Sequence, residues 1–378
     1  MRIAVLAETD KAEPRVAATP ETVKKFAALG AQVAIQAGAG AQAGFADADY
    51  AAAGATLAKT AKEALDDADV ILRVRRPSAA ELAGSKQGAA VVAILDPFGN
   101  EKALGDLAKA GVSAFAMELM PRITRAQSMD VLSSQANLAG YRAVIDGAAE
   151  YGRAVPMMMT AAGTVPAAKI FIMGVGVAGL QAIATARRLG AIVTATDVRP
   201  ATKEQVESLG AKFLAVEDEE FAQAQTAGGY AKEMSKEYQA KQAALTASHI
   251  AKQDIVITTA LIPGRPAPKL ISADMVRSMR AGSVIVDLAA ERGGNCELTK
   301  PGETAVVDGV KIVGALNLAG RMASTASSLY AKNLFAFVET FVSKETKQFA
   351  IDWNDELVKA TLLTKDGAVV DPRFQPKG

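Results

Sequence analysis

Short apolar runs alternate with stretches in which apolar positions recur every three or four residues. In residues 1–118 the runs 2–7, 32–36, 70–74, 91–95 and 113–117 read as buried strands. The stretches 60–67 and 100–110 read as helices, as does the segment opened by Thr19-Pro20-Glu21 and closed by Gly30, with Thr as cap and Pro at the first helical position. Residues 121–142 are polar and break this rhythm, and helical period resumes near Ser133 and runs to about Tyr151. A second alternation starts near Met157. Its strands are 169–173, 192–196, 212–215, 254–260, 283–288 and 311–314, and its helices are 180–189, 202–209, 241–250 and 273–279. Residues 217–241 are polar, residues 321–343 are strongly helical, and the tail holds short pieces at 350–353 and 357–363 with a turn at Asp366-Gly367. Strand–helix alternation of this kind predicts α/β architecture: two Rossmann-like doubly wound parallel-sheet domains, joined by long helices, with a cleft between them. The expected division is 1–132 plus 325–378 for a discontinuous N-terminal domain and 133–324 for the second.

Residues 169–197 organise the second domain. Strand 169–173 is followed at once by Gly174-Val175-Gly176-Val177-Ala178-Gly179, a helix, and a strand that ends on Asp197. In that context a G-x-G-x-x-G spacing marks a dinucleotide site. Gly174 permits the tight turn, Gly176 lets a pyrophosphate approach the backbone, and Gly179 lets the helix pack against the strand. The first helical turn offers free N–H groups and a positive dipole end to phosphates. Asp197 is placed to accept both ribose hydroxyls of an adenosine and to repel a 2′-phosphate, which favours NAD(H) over NADP(H); Arg199 lies two residues on. Gly38-Ala39-Gly40 lacks the third glycine and a clean following helix, so it is not read as a phosphate loop.

Composition narrows the class further. At 378 residues with half of them apolar, the chain is long enough for two cores. A net charge of +1 gives no argument for nucleic acid or an anionic membrane surface. Cys296 and His249 are each the one residue of their type, which rules out an internal disulfide and leaves no ordinary zinc ligand set. The apolar run 3–7 is too short for a signal peptide, and 170–186 is shorter than a membrane span and contains the glycine turn. The expectation is a soluble chain with no direct membrane insertion.

Ligands of doubly wound sheets bind beyond the carboxyl ends of the strands. The polar segment, with Arg122, Arg125, Gln127, Asp130, Ser133, Ser134, Gln135 and Asn137, follows a first-domain strand and is the expected nicotinamide end of the site. Tyr230, beside Gly228 and Gly229, is a candidate lid residue. Dehydrogenation of an alcohol or amino acid needs a general base, commonly His or Lys. His249 lies far from this segment in the chain and reads as a surface residue. Hydride exchange between two nicotinamides moves no proton at the reacting carbons and asks only for close, dry, face-to-face rings. A segment of Arg, Gln, Asp and Ser suits that better.

Residues 117–135 (MELMPRITRAQSMDVLSSQ) resemble the signature of the NAD(H)-binding component of proton-translocating NAD(P)+ transhydrogenase, a family related to the alanine dehydrogenases. So do residues 156–166, 174–181, 227–233, 258–264 and 287–296, and the resemblance runs along essentially the whole chain. It implies that Arg122, Gln127, Asp130 and Ser133 hold the nicotinamide and its ribose, and that Ile123, Thr124 and Arg125 belong to the same cofactor-binding run. Gln127 would also reach toward NADP(H) carried by a partner subunit, not by this chain. Val177 would touch the cofactor at the glycine turn formed by Gly174, Gly176 and Gly179. Asp197, Val198 and Arg199 would bind the adenosine ribose side, Gly229 and Tyr230 would belong to a mobile loop, and Gln242 and Leu261 would border the site. The resemblance further implies a homodimer, a separate membrane-spanning proton-channel subunit, an NADP(H)-binding subunit, and a cytoplasmic location on the inner face of the membrane through those partners. With no membrane segment before Gly378, the chain looks like the split form of the subunit.

Alanine dehydrogenases use a Lys from a K-V-K-E-P run and a downstream His for acid–base work. The matching run here is Arg73-Val74-Arg75-Arg76-Pro77, and the His position falls near Asp96. A free-standing alanine-dehydrogenase-like oxidoreductase is the alternative reading. Asn317-Leu318-Ala319-Gly320-Arg321 lacks the Pro common in the family's N-x-P-S/G-R run, Leu6-Ala7-Glu8 stands where Pro-Lys-Glu is frequent, and Asp96-Pro97-Phe98 is unusual.

Overall fold

The computed structural model describes residues 1–224, 234–343 and 345–375. It divides into two compact units, Met1–Gln135 with Ala319–Gly378, and Ala136–Leu318.

The first unit begins with strands β1 (Arg2–Val5), β2 (Gln32–Gln36), β3 (Thr56–Ala58), β4 (Val70–Arg75), β5 (Ala90–Ile94) and β6 (Ser113–Ala116). Nearly all positions of β4, β5 and β6 are buried, as a parallel strand covered on both faces requires. The helix Pro20–Ala28 starts where the sequence predicts, with Thr19 as cap, and the buried Tyr50 donates to the Ala18 carbonyl just ahead of that helix at 2.8 Å. The 21-residue helix Val131–Tyr151 follows the polar segment.

In the second unit a small exposed hairpin, β7 (Met158–Thr160) and β8 (Gly163–Val165), precedes the sheet. The sheet is built from β9 (Lys169–Met173), β10 (Ile192–Thr196), β11 (Lys212–Phe213), β12 (Ile255–Thr258), β13 (Val284–Asp287), β14 (Thr304–Val307) and β15 (Val310–Val313), in the order β11-β10-β9-β12-β13-β15-β14. All neighbours are parallel except β14, which folds back on β15. Leaving β14 aside, this is the doubly wound 3-2-1-4-5-6 order, with the switch point between β9 and β12.

The chain then returns to the first unit through the helix Ala323–Glu339, whose Tyr330, Leu334, Phe337 and Val338 pack into the core with Phe26, Phe115 and Leu72. Strands β16 (Leu362–Lys365) and β17 (Ala368–Val369), turned at Asp366 and Gly367, complete that sheet in the order β17-β16-β6-β5-β4-β1-β2-β3. The six parallel strands of the first unit thus repeat the 3-2-1-4-5-6 order, so each unit carries the predicted Rossmann-like, doubly wound α/β sheet.

Two sequence expectations change. The helix expected at 241–250 begins at Lys236, because Ser235 caps it by accepting from the Tyr238 N–H at 3.1 Å. His249, read as a surface residue, is half-buried: its ring packs edge-on against Phe171 at 4.8 Å and its Nε2 lies 2.8 Å from the Thr194 hydroxyl. Burial, with Lys252 and Lys169 nearby, holds its pKa below the ordinary 6.5.

Among the described residues no helix is long and apolar enough to cross a membrane, and no cluster of His, Cys, Asp and Glu has the makings of a metal site.

Candidate dinucleotide site

The glycine turn joins β9 to the helix Val177–Arg188 at the switch point of the second unit's sheet. Each glycine has its own physical reason. Gly174 has φ +101°, and a Cβ there would meet the Thr259 hydroxyl at 2.6 Å. A Cβ on Gly179 would come within 1.9 Å of the Gly174 carbonyl, so strand and helix approach each other as only glycine permits. At Gly176 a Cβ would meet nothing within 4 Å, so the backbone there borders open space. Gly176 is also the N-cap of the helix and carries no capping side chain, which leaves the helix start open to an anion.

Three apolar side chains beside this turn remain exposed. Val177 stands on the first helical residue after β9, Val198 follows β10, and Leu261 follows β12. They flank the carboxyl ends of three neighbouring strands, where a flat base would find apolar walls.

Asp197 directly follows β10, and its carboxylate is nearly buried. It accepts from the Val175 N–H at 2.7 Å and the Arg199 N–H at 2.9 Å, and from Arg199 Nε and Nη2 at 2.8 and 2.9 Å. Arg199 Nη2 also donates to the Val175 carbonyl at 3.1 Å. The pair raises the Arg199 pKa above its ordinary value. Gln242 reaches the same strand end: it accepts from the Val216 N–H at 2.9 Å and donates to the Thr196 hydroxyl at 3.3 Å. Gly229 and Tyr230 lie outside the described residues.

The other predicted residues lie on the segment after β6 in the first unit. Residues Thr124–Met129 form a 3-10 turn held to the core by buried Ala126 and Met129, and that anchoring leaves Arg122, Thr124, Arg125 and Gln127 on the exposed side, with Ile123 half-buried. Asp130 caps the long helix: its carboxylate accepts from the Ser133 N–H at 2.8 Å and the Ser133 hydroxyl at 2.6 Å. Arg125 is engaged by the Asp355 carboxylate at 2.7 and 2.9 Å and by Glu356 at 3.2 Å.

Several further residues support the site. Thr259 donates its hydroxyl to the Gly174 carbonyl at 2.9 Å. Asn295 clamps the loop after β12, accepting from the Ala260 N–H at 3.0 Å and donating to the Ala260 and Pro268 carbonyls at 2.8 Å. Gly140, in the long helix, faces Ala178 so closely that a Cβ would sit 2.0 Å from its carbonyl oxygen. Asn333 donates to the Ser128 carbonyl at 2.7 Å and fixes the 3-10 turn from behind. Gln135 accepts from buried Arg15 at 2.8 Å. Of these, Gln135 is among the polar residues of 121–142, and Thr259 and Asn295 lie in the 258–264 and 287–296 runs that the sequence singles out, whereas Gly140 and Asn333 carry no local signal of that kind.

A doubly wound sheet with a glycine turn at its switch point and an acid directly after the second strand defines a dinucleotide-binding α/β protein. The C-terminal domain of the alanine dehydrogenase/PNT family matches residues 143–372, and the N-terminal domain of that family matches residues 4–139. The chain therefore belongs to the alanine dehydrogenase/PNT family. It is 55% identical to an NAD(P) transhydrogenase subunit alpha chain of Rhodospirillum rubrum, over the whole of both chains. The crystal structure of transhydrogenase from Sinorhizobium meliloti superposes with TM-score 0.90 at 62% identity, covering 98% of this chain and all of that one. An alanine dehydrogenase of Halomonas elongata is 32% identical over 97% of this chain and 94% of its own. The chain thus groups with transhydrogenase alpha subunits, with alanine dehydrogenases as more distant relatives.

Proposed function

We propose that this chain binds NAD(H) and exchanges hydride directly with NADP(H) held on a partner subunit. A membrane-spanning partner couples that exchange to proton translocation. The observation that carries the reading is the chemistry of the run where alanine dehydrogenases hold their Lys. Arg73 is paired with Glu8 at 3.0 Å and Glu81 at 2.9 Å, and Arg75 with Glu13 at 2.8 Å. A guanidinium stays protonated in proteins and serves as no general base. The Glu8 carboxyl is pushed up by burial, against the pull of Arg73, and is occupied by that ion pair. Hydride exchange between nicotinamides needs no base.

The dinucleotide supplies the hydride. Gly174, Gly176 and Gly179 admit the pyrophosphate, the helix start at Val177 complements its charge, and Val177, Val198 and Leu261 wall the adenine. Asp197, Val198 and Arg199 form the ribose side, with Gln242 behind them. Arg122, Gln127, Asp130 and Ser133 hold the nicotinamide and its ribose. Ile123, Thr124 and Arg125 shape that run, the last through its pair with Asp355. Gln127 is exposed on the turn and is the residue assigned to the partner's NADP(H). The chain works as a homodimer on the cytoplasmic face of the membrane. An exposed apolar hairpin start, Met157 to Met159, with Met159 78% exposed, supports a protein interface in the second unit.

The test mixes the chain with a purified NADP(H)-binding component and follows hydride transfer to a nicotinamide analogue. NADH binding by the chain alone, transfer only with the partner, and slow transfer with normal NADH binding in Gln127→Asn are expected. NADH formation from alanine with no partner would instead establish the dehydrogenase reading.

A further inference from the structure

The Asp197 carboxylate offers about four acceptor directions. Four donors fill them: the Val175 N–H, the Arg199 N–H, and the Nε and Nη2 of the Arg199 guanidinium. A ribose diol therefore meets a saturated carboxylate. The two backbone donors, one on the glycine turn and one two residues past Asp197, are fixed by the main chain, so the guanidinium is the group that can yield. It is also the more exposed partner, its side chain 29% accessible against 7% for Asp197. Its second anchor, the Val175 carbonyl, is on the glycine turn. The same pair cancels the negative charge that would repel a 2′-phosphate.

We propose that Arg199 sets dinucleotide selectivity by acting through Asp197: it competes with the adenosine ribose for the carboxylate and shields that charge from a 2′-phosphate. Selectivity for NAD(H) is then a property of the ion pair and not of the acid alone. The inference rests on the NAD(H)-binding reading above. Arg199 is here a specificity-determining residue that needs no contact of its own with a phosphate. With the guanidinium gone, two acceptor directions open to the ribose and the carboxylate stands uncompensated. Both changes favour NAD(H) over NADP(H).

The experiment measures Kd for NADH and for NADPH by fluorescence titration on the full chain. The variants are Arg199→Ala, Arg199→Lys, Asp197→Asn and the Asp197→Asn/Arg199→Ala pair. The ratio of Kd for NADPH to Kd for NADH is expected to rise about tenfold in Arg199→Ala, an effect that shrinks with added salt. It is expected to stay near the wild-type ratio in Arg199→Lys, which keeps the positive charge. In the Asp197→Asn background, where Asn still accepts from the Val175 N–H, Arg199→Ala is expected to leave the ratio unchanged. An unchanged or smaller ratio in Arg199→Ala overturns the inference. So does an equal effect of Arg199→Ala with and without Asp197, because that reports a guanidinium touching the 2′-phosphate directly. A wild-type chain that binds no NADH overturns the proposed function as well, whereas binding with the wrong ratio overturns this inference alone.

Discussion

The Gly174 carbonyl oxygen lies where a Cβ on Gly179 would be, 1.9 Å away, so the strand and the helix of the glycine turn are in direct backbone contact. The same carbonyl accepts from the Thr259 hydroxyl at 2.9 Å, which ties the turn to the end of β12.

That contact separates folding from binding among the glycines. Gly179→Ala is expected to lower stability by about 1–3 kcal/mol, the cost of forcing a methyl into a packed backbone. Gly176→Ala adds its methyl to open space and is expected to melt within about 1 kcal/mol of wild type. It should nonetheless weaken NADH binding at least about tenfold, because the methyl stands where the pyrophosphate approaches. Thermal unfolding and NADH titration on both variants check this. A Gly176→Ala chain with wild-type NADH affinity would remove the phosphate from this turn.

The strands and the glycine turn were legible because parallel strands are continuous apolar runs and a glycine turn has fixed spacing. What escaped was fixed by contacts between distant segments. The helix Asp47–Ala52 and strand β3 are short and alanine-rich, with no periodicity to read. The β7–β8 hairpin is exposed along both strands, so its methionines follow no inside–outside alternation that a sequence pattern could show. Lys236–Ile250 buries only Tyr238, Thr246 and Ile250, so its first turns carry no apolar periodicity that marks a helix. In the site, the place of Asp197 directly after β10 follows from the spacing, and the exposed 3-10 turn at Thr124–Met129 falls in the polar segment that breaks the strand–helix rhythm. The saturation of Asp197 by Arg199, and the anchoring of Arg125 by Asp355, depend on rotamers that no spacing encodes.

Asp130 caps the long helix, and the proposed function adds a second duty that substitutions can separate from the first. As the cap of the long helix it accepts from the Ser133 N–H and hydroxyl. Asp130→Ala is expected to cost about 1 kcal/mol of stability through the lost cap, whereas Asp130→Asn keeps an accepting oxygen and most of that stability. If the carboxylate also accepts from the nicotinamide ribose, Asp130→Asn weakens NADH binding while melting near wild type. Equal NADH affinity in Asp130→Asn and wild type would confine Asp130 to the cap.

Glu13 is buried with Arg15, whose Nη2 it meets at 2.6 Å, and also accepts from Arg75 at 2.8 Å. Glu13→Gln leaves the Arg15 charge buried with only neutral acceptors and is expected to cost about 3 kcal/mol. Burial alone would raise the Glu13 carboxyl, but Arg15 and Arg75 together hold it below its ordinary 4.5. A depressed carboxyl stabilises the fold above the unfolded value and loses that contribution as pH falls through the folded one. Wild type is therefore expected to lose stability on acidification below about pH 4.5, more steeply than Glu13→Gln. Denaturant midpoints of the two chains between pH 5 and pH 3 decide it, and parallel curves would refute the assignment.

His249 offers a second titration, seen without interference because the chain has one histidine. Its half-buried ring against Phe171, with Nε2 beside the Thr194 hydroxyl, disfavours the charged form, so its folded pKa lies below 6.5. The unfolded chain then takes up the proton first. Stability linked to this group is complete above pH 6.5 and is lost as pH falls through that value toward the folded pKa. The melting temperature is expected to drop between pH 7.5 and 5.5, and His249→Gln is expected to flatten that part of the profile. Histidine-labelled NMR should show the single imidazole titrating with a midpoint under 6.5. A midpoint at or above 6.5, or a melting profile unchanged in His249→Gln, would mean that the Phe171–Thr194 niche accommodates the imidazolium as readily as water does.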